Sequence, residues 1–204
     1  MSGVLTMSKY LKAFEEFMRK GLATAQAEQN PHRRAILLNY NRHAALEFSV
    51  RKWHNIFTKN MSVDEPVYNV HLGTPELVRF EGREAVMGFY QALNERIVWL
   101  QDEQLFVNDW GFASYSTFGQ FVTGKEAAEA GHTVDDPAAT YVLMCPLAMF
   151  WPYDKDAKMI GEDVYQLAPF TLIKPDLADV FTFEDRARML APYVGDLRDF
   201  EAAA

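Results

Sequence analysis

The chain has a single cysteine, Cys145, in 204 residues. No internal disulfide can form, and its place in an apolar run points to a buried structural thiol. No apolar segment is long enough to span a bilayer, and the N-terminus lacks the charged, apolar and cleavage regions of a signal peptide, so a cytoplasmic protein is expected. Basic charge is scarce: 20 Lys and Arg against 28 Asp and Glu leave a net charge of −8. With no basic run, this argues against nucleic acid or an anionic membrane as partner. The five histidines are scattered, with no H-E-x-x-H and no thiol pair, so no metal is expected. The G-x-S-x-G elbow, the Walker loop and the G-x-G-x-x-G fingerprint are also missing, which disfavours a serine hydrolase, a nucleoside triphosphatase and a dinucleotide enzyme. No cofactor is expected.

Aromatic residues are plentiful: 15 Phe, 9 Tyr and 4 Trp, enough to fill a core and also to line a pocket for a flat or apolar ligand. The length suits one well-buried domain, taken as 1–204. The sharpest change of period lies around residue 82. Before it, Glu65 to Leu72 alternates as a strand, with Val67, Asn69 and His71 on one face and Tyr68, Val70 and Leu72 on the other. After Gly73-Thr74-Pro75 and a short link, residues 82–97 read as a helix whose Val86, Phe89, Tyr90 and Leu93 form one apolar stripe.

Upstream, residues 8–28 predict an amphipathic helix with Ser8 as cap and Leu11, Phe14, Met18 and Leu22 buried, broken at Asn30-Pro31. A second helical pattern runs from about His32 to Asn60. Leu46, Val50, Trp53 and Phe57 form its buried stripe, and Tyr40, His43, Glu47, Arg51 and His54 form a polar flank. That flank reads either as a pocket wall or as a solvated face with ordinary ion pairs.

Downstream, Gln104–Asp109 and Phe112–Val122 predict a hairpin about Trp110-Gly111, and Ala139–Tyr153 a long strand with a bulge or bend at Pro146. Met159–Leu167 predicts a returning strand after a turn at residues 154–157. The polar stretch from Gly124 to Pro137 reads as a lid, an oligomer contact or a plain loop, and the tail from Pro169 as docked and partly helical after Thr182.

The order long helix, short strand, G-R-E-A-V-x-x-F-Y-x-x-L helix, then strands ending in D-K-D-A-K-M-I-G-E-D-V-Y resembles the SnoaL-like branch of the nuclear-transport-factor-2-like superfamily. The likeness spans roughly residues 36–168, with the 8–28 helix, the 124–137 stretch and the tail 169–204 added to it. It implies an α+β fold: a cone-shaped barrel of strongly curved, mixed or antiparallel sheet closed by helices around an apolar cavity. It also implies a range of activities: polyketide cyclases, ketosteroid isomerases, dehydratases, formaldehyde lyases on lignin-derived aromatics, and non-catalytic binding or scaffold domains. Pairing through convex sheet faces makes a homodimer the expectation. Some members pair a carboxylate on the first cone helix with a histidine on the strand after the middle helix. Glu47 falls near the first position, whereas residues 98–107 contain no histidine.

What remains is cofactor-independent acid–base chemistry on a small hydrophobic or aromatic molecule. A carboxylate in an apolar cavity titrates nearer neutrality, and tyrosines or an arginine stabilise a developing oxyanion. The expected catalytic residues are Glu47, His43, Tyr68, His71 and Asp109, and the expected substrate-binding residues Tyr40, Arg42, Trp53, Tyr115 and Tyr165. Glu162 and Tyr165 fall on opposite faces of one strand, and Tyr165 is read as the wall residue. A lyase or dehydratase, by elimination or carbon–carbon cleavage, is the first reading. A cyclase or isomerase is the second, and a binding or scaffold domain the third.

Overall fold

A computed structural model of the protein describes residues 7–49, 52–74 and 76–195. Five helices and seven strands follow in the order α1 (Lys9–Ala27), α2 (Pro31–Glu47), β1 (Ser62–His71), β2 (Val78–Glu81), α3 (Arg83–Leu93), β3 (Val98–Asn108), β4 (Gly111–Thr123), α4 (Gly124–Glu129), β5 (Thr140–Pro152), β6 (Met159–Gln166), β7 (Thr171–Ile173) and α5 (Phe183–Val194). Short 3-10 turns occupy Trp53–Phe57 and Leu177–Asp179. One sheet runs β2-β1-β6-β5-β4-β3 with β7 beside β5. β1 and β6 are parallel, and every other pair is antiparallel. The sheet is curved but unclosed, so the α+β cone is an open trough lined by helices rather than a complete barrel. Among the described residues, no helix is long and apolar enough to cross a membrane.

The helices start where the local chemistry starts them. Ser8 accepts from the Leu11 N–H to begin α1, and Asn30 accepts from His32 and Arg33 to begin α2 with Pro31 at its first turn. Thr182 and Asp185 form a reciprocal capping box at α5. α2 is the central helix, buried on most sides, so its mid-section Ile36–Leu46 is enclosed by α1, α5 and the sheet.

Four expectations are corrected. The long helix does not reach Asn60: it ends at Glu47, where Phe48 packs edge-on against Phe14 at 5.3 Å and carries the Arg186 guanidinium over its ring. These contacts fix Phe48 at the helix end and outweigh the helical pattern beyond it. Val50 and Arg51, like Pro75, lie outside the described residues. The link before α3 contains β2, which folds back on β1 from Tyr68↔Phe80 to Val70↔Val78. Residues 124–129 form α4, capped by Thr123 and Glu126, with Ala127 buried beside Val122 and Tyr141. At Pro146 there is no bulge, and the β4–β5 register is unbroken. Pro146 instead sits where the neighbour of β5 changes from β7 at Val142–Met144 to β6 at Leu147–Phe150, a gap in which a missing N–H leaves no partner orphaned.

Candidate active site

The helices and the inner face of the sheet enclose a cavity of about 420 Å³, within the range of small-molecule sites. Phe48, Phe89, Phe118, Leu147, Met149 and Trp151 make most of its wall apolar. Two carboxylates enter it from different elements. Glu47 comes from the last turn of α2, on the face that also carries Tyr40 and Ala44, and Glu162 from β6, on the face of Val164 and Gln166. Arg96 and Glu126, 3.3 Å apart, lie where α4 meets the cavity.

Glu162 is 7 % exposed and has no hydrogen bond or ion pair among the described residues. Burial pushes its carboxyl well above the usual carboxylate range, and the Glu47 charge, followed by Asp163, pushes it further. Both effects favour the neutral form of Glu162.

Behind Glu47 lies a file of buried polar groups. His43 Nε2 is 3.5 Å from Glu47 Oε2 and 2.7 Å from Tyr90 Oη. The Tyr90 and Tyr68 hydroxyls are 2.9 Å apart, and Tyr68 donates to Met159 Sδ at 3.3 Å. Because a thioether only accepts, the file has one direction: Tyr90 donates to Tyr68, and His43 Nε2–H donates to Tyr90. His43 Nδ1 then carries the lone pair, which fits its lack of any partner. Burial holds both tyrosine hydroxyls well above their usual pKa. Trp151 packs edge-on to the His43 ring at 4.6 Å and fixes its plane.

The expected residues therefore separate. Glu47 and Tyr40 line the cavity, while His43 and Tyr68 stand behind Glu47 in the buried file. Trp53 is outside, stacked on the Tyr90 ring at 6.3 Å. His71 and Tyr165 stack on each other at 6.4 Å on the outer face of the sheet, because the pairing of Met149 with Val164 turns the even-numbered residues of β6 inward. Tyr115 is exposed on the outer face of β4. Asp109 sits in the β3–β4 turn and pairs with Arg33 at 2.7 Å. Arg42 donates from Nε to the carbonyl of Val194, the last residue of α5, and so anchors the tail.

Two buried acids are not among the expected site residues: Glu162, set aside there in favour of Tyr165, and Glu103. For Glu162 the available signal is Val164, an apolar residue two positions on that shares its face. Glu103 accepts from the Tyr40 hydroxyl at 2.5 Å, and burial, partly offset by that bond and by the Ser114 hydroxyl, raises it to about 7. Cys145 is buried and its thiol is pushed up to about 11, which suits an inert structural role. Among the described residues no group of three or more His, Cys, Asp and Glu is placed to hold a metal ion.

No protein-family model matches the chain, and no curated protein matches it. Solved structures do. A protein of Jannaschia sp. CCS1 named as a SnoaL-like polyketide cyclase is 10% identical with a TM-score of 0.49, over 68% of this chain and 90% of that one. A protein of Xanthomonas campestris pv. campestris named as a polyketide cyclase is 16% identical with a TM-score of 0.47, over 66% and 91%. A protein of Streptomyces avermitilis named as a dehydratase of the NTF2-like family is 11% identical with a TM-score of 0.34, over 76% and 99%.

Proposed function

We propose that the protein is a cofactor-independent acid–base enzyme of the lyase or dehydratase type, acting on a small, largely apolar substrate in this cavity. The observation that carries the reading is the pair of carboxylates, Glu47 and Glu162, facing one apolar space, where burial and the Glu47 charge favour the neutral form of Glu162.

The chemistry follows from that asymmetry. A substrate with a hydroxyl β to a carbonyl lies between the two acids. Glu47 takes the proton from the carbon next to the carbonyl, Glu162 gives its proton to the departing hydroxyl, and water leaves as the double bond forms. His43, fixed by Tyr90 and Trp151, keeps its ring 3.5 Å behind Glu47 and limits how that carboxylate can turn. The apolar wall excludes water from the carbanion-like state. The five aromatic wall residues Tyr40, Phe48, Phe89, Phe118 and Trp151 favour an aromatic or polycyclic substrate body.

The test uses the aldol of benzaldehyde and acetone, whose dehydration gives a conjugated enone followed by its ultraviolet absorption. Solvent deuterium uptake at the carbon next to the carbonyl is followed in parallel. The wild type accelerates both, and Glu47→Gln loses about 100-fold or more with its melting temperature maintained. Equal rates in the wild type and in Glu47→Gln contradict the reading, and the cavity is then a binding site without chemistry.

A further inference from the structure

Tyr40 and Glu103 stand in line between the cavity and a second space. The Tyr40 ring lines the cavity, and its hydroxyl is bonded at 2.5 Å to Glu103. Glu103 lines a separate cleft of about 140 Å³ between α1 and β3, with Glu16, Lys20 and Thr24 on its far side. A single hydrogen bond thus joins two otherwise distinct spaces.

This junction is built by a local irregularity. In β3, Gln101 pairs with Thr117 but Gln104 pairs with Tyr115, so Asp102 and Glu103 together oppose Ser116. Asp102 takes a left-handed conformation at φ 56° to admit the extra residue. Without the bulge, alternation from the cavity-lining Leu100 would turn Asp102 inward and Glu103 outward. The bulge reverses that parity: Glu103, Leu105 and Val107 face the helices, while Gln104 and Phe106 are exposed. A strained residue and a desolvated carboxylate are costly, and the Tyr40 contact is what they achieve.

We propose that Tyr40 and Glu103 form the route by which the cavity exchanges protons with solvent. A ligand group at the Tyr40 end of the cavity gives a proton to the phenolic oxygen while the hydroxyl proton of Tyr40 passes to Glu103. Glu103 then releases a proton into the outer cleft, and the reverse sequence carries a proton in. Each step exchanges one O–H bond for another, and a concerted transfer avoids the phenolate that burial disfavours. Groups facing Glu103 are Tyr40 from α2, Glu16 and Lys20 from α1 across the cleft, and Asp102 on its own strand, while β4 presents the Ser114 hydroxyl to it and Ser116 opposite the bulge. Glu16 is held by Arg19 and Lys20, which leaves Glu103 as the acid free to titrate near neutral pH.

This inference rests on the acid–base reading of the cavity, and its test separates the two. Infrared difference spectra of the whole chain across neutral pH are recorded for the wild type, Glu103→Gln and Tyr40→Phe. Turnover of the benzaldehyde–acetone aldol is measured in buffers of increasing imidazole concentration. A protonated-carboxyl band that titrates near pH 7, is lost in Glu103→Gln and moves in Tyr40→Phe is expected. Glu103→Gln, whose amide still accepts from Tyr40, is expected to melt like the wild type, turn over at least tenfold slower, and recover in proportion to imidazole. Absence of the band from the wild type, its persistence in Glu103→Gln, or an unchanged pH–rate profile without imidazole response in that variant overturns the route. Intact band behaviour with no wild-type turnover overturns the acid–base reading on which the route depends.

Discussion

Glu47 and Glu162 reach the same cavity from elements far apart in the chain, one from the close of α2 and one from β6, and the charge of the first helps raise the pKa of the second. Among the described residues no Lys or Arg lies within ion-pairing distance of either acid, and His43 is the neighbour of Glu47 at 3.5 Å. Among the described residues no salt bridge relieves the burial of Glu162, and desolvated acids of this kind gather at sites of chemistry.

The first prediction concerns stability against pH. The Glu162 carboxyl titrates higher in the folded chain than in the unfolded one, so the folded state binds more protons and stability falls as pH rises from the ordinary carboxylate pKa through the folded one. Glu162→Gln removes that loss. The variant should match or trail the wild type at pH 4 and exceed it at pH 8, by about 1.4 kcal/mol for each pH unit separating the two titrations. Thermal melts across this range check the sign.

Tyr90→Phe should cost about 1–3 kcal/mol, because it removes the acceptor of His43 Nε2–H and the donor to Tyr68 while both partners stay buried. Urea midpoints at constant slope measure it. The freed imidazole has only Glu47 left to bond, so ligand-dependent rates should change more than a packing defect alone would produce.

Arg186 is fully buried on α5, donates to the carbonyls of Val98 and Arg96 at 2.9 and 3.4 Å, and lies over the Phe48 and Phe183 rings. Arg186→Met keeps the stem but orphans both carbonyls, and should cost roughly 3 kcal/mol. Faster amide exchange in α5 would show that the tail helix loosens first.

Gly161 and Gly88 should respond oppositely to alanine. A Cβ at Gly161 would collide with the Val67 carbonyl oxygen, backbone that cannot step aside, so Gly161→Ala should lose about 3 kcal/mol and displace the neighbouring Glu162. Gly88 lies within α3 with nothing inside 4 Å, and Gly88→Ala should gain about 0.5–1 kcal/mol. Calorimetry of both variants distinguishes these outcomes.

What the sequence reveals here is what is local. Ser8, Asn30-Pro31 and Thr182 mark helix starts by their own hydrogen bonds, and the Trp110-Gly111 turn closes its hairpin from adjacent residues. The end of α2 at Glu47 depends on Phe48 meeting Phe14 and Arg186, partners 34 and 138 positions away in the chain, and no local pattern carries that information. Glu47 and Tyr40 were legible because helical spacing puts them on one face. Glu162 was not, because alternation separates it from Tyr165 without saying which face is inner; that is decided by the pairing of β6 with β5. Glu103 was hidden by a bulge that reverses the parity of its strand.

The measurement that tests the central claim most directly is a carbon-13 NMR titration of glutamate side-chain carboxyls, with Glu162 assigned by its loss in Glu162→Gln. The account predicts a Glu162 carboxyl that titrates well above the ordinary carboxylate range in the wild type and moves down, without reaching that range, when Glu47→Gln removes the neighbouring charge. A Glu162 carboxyl that titrates normally, or is indifferent to Glu47→Gln, would contradict the pairing of a neutral acid with a charged one in this cavity.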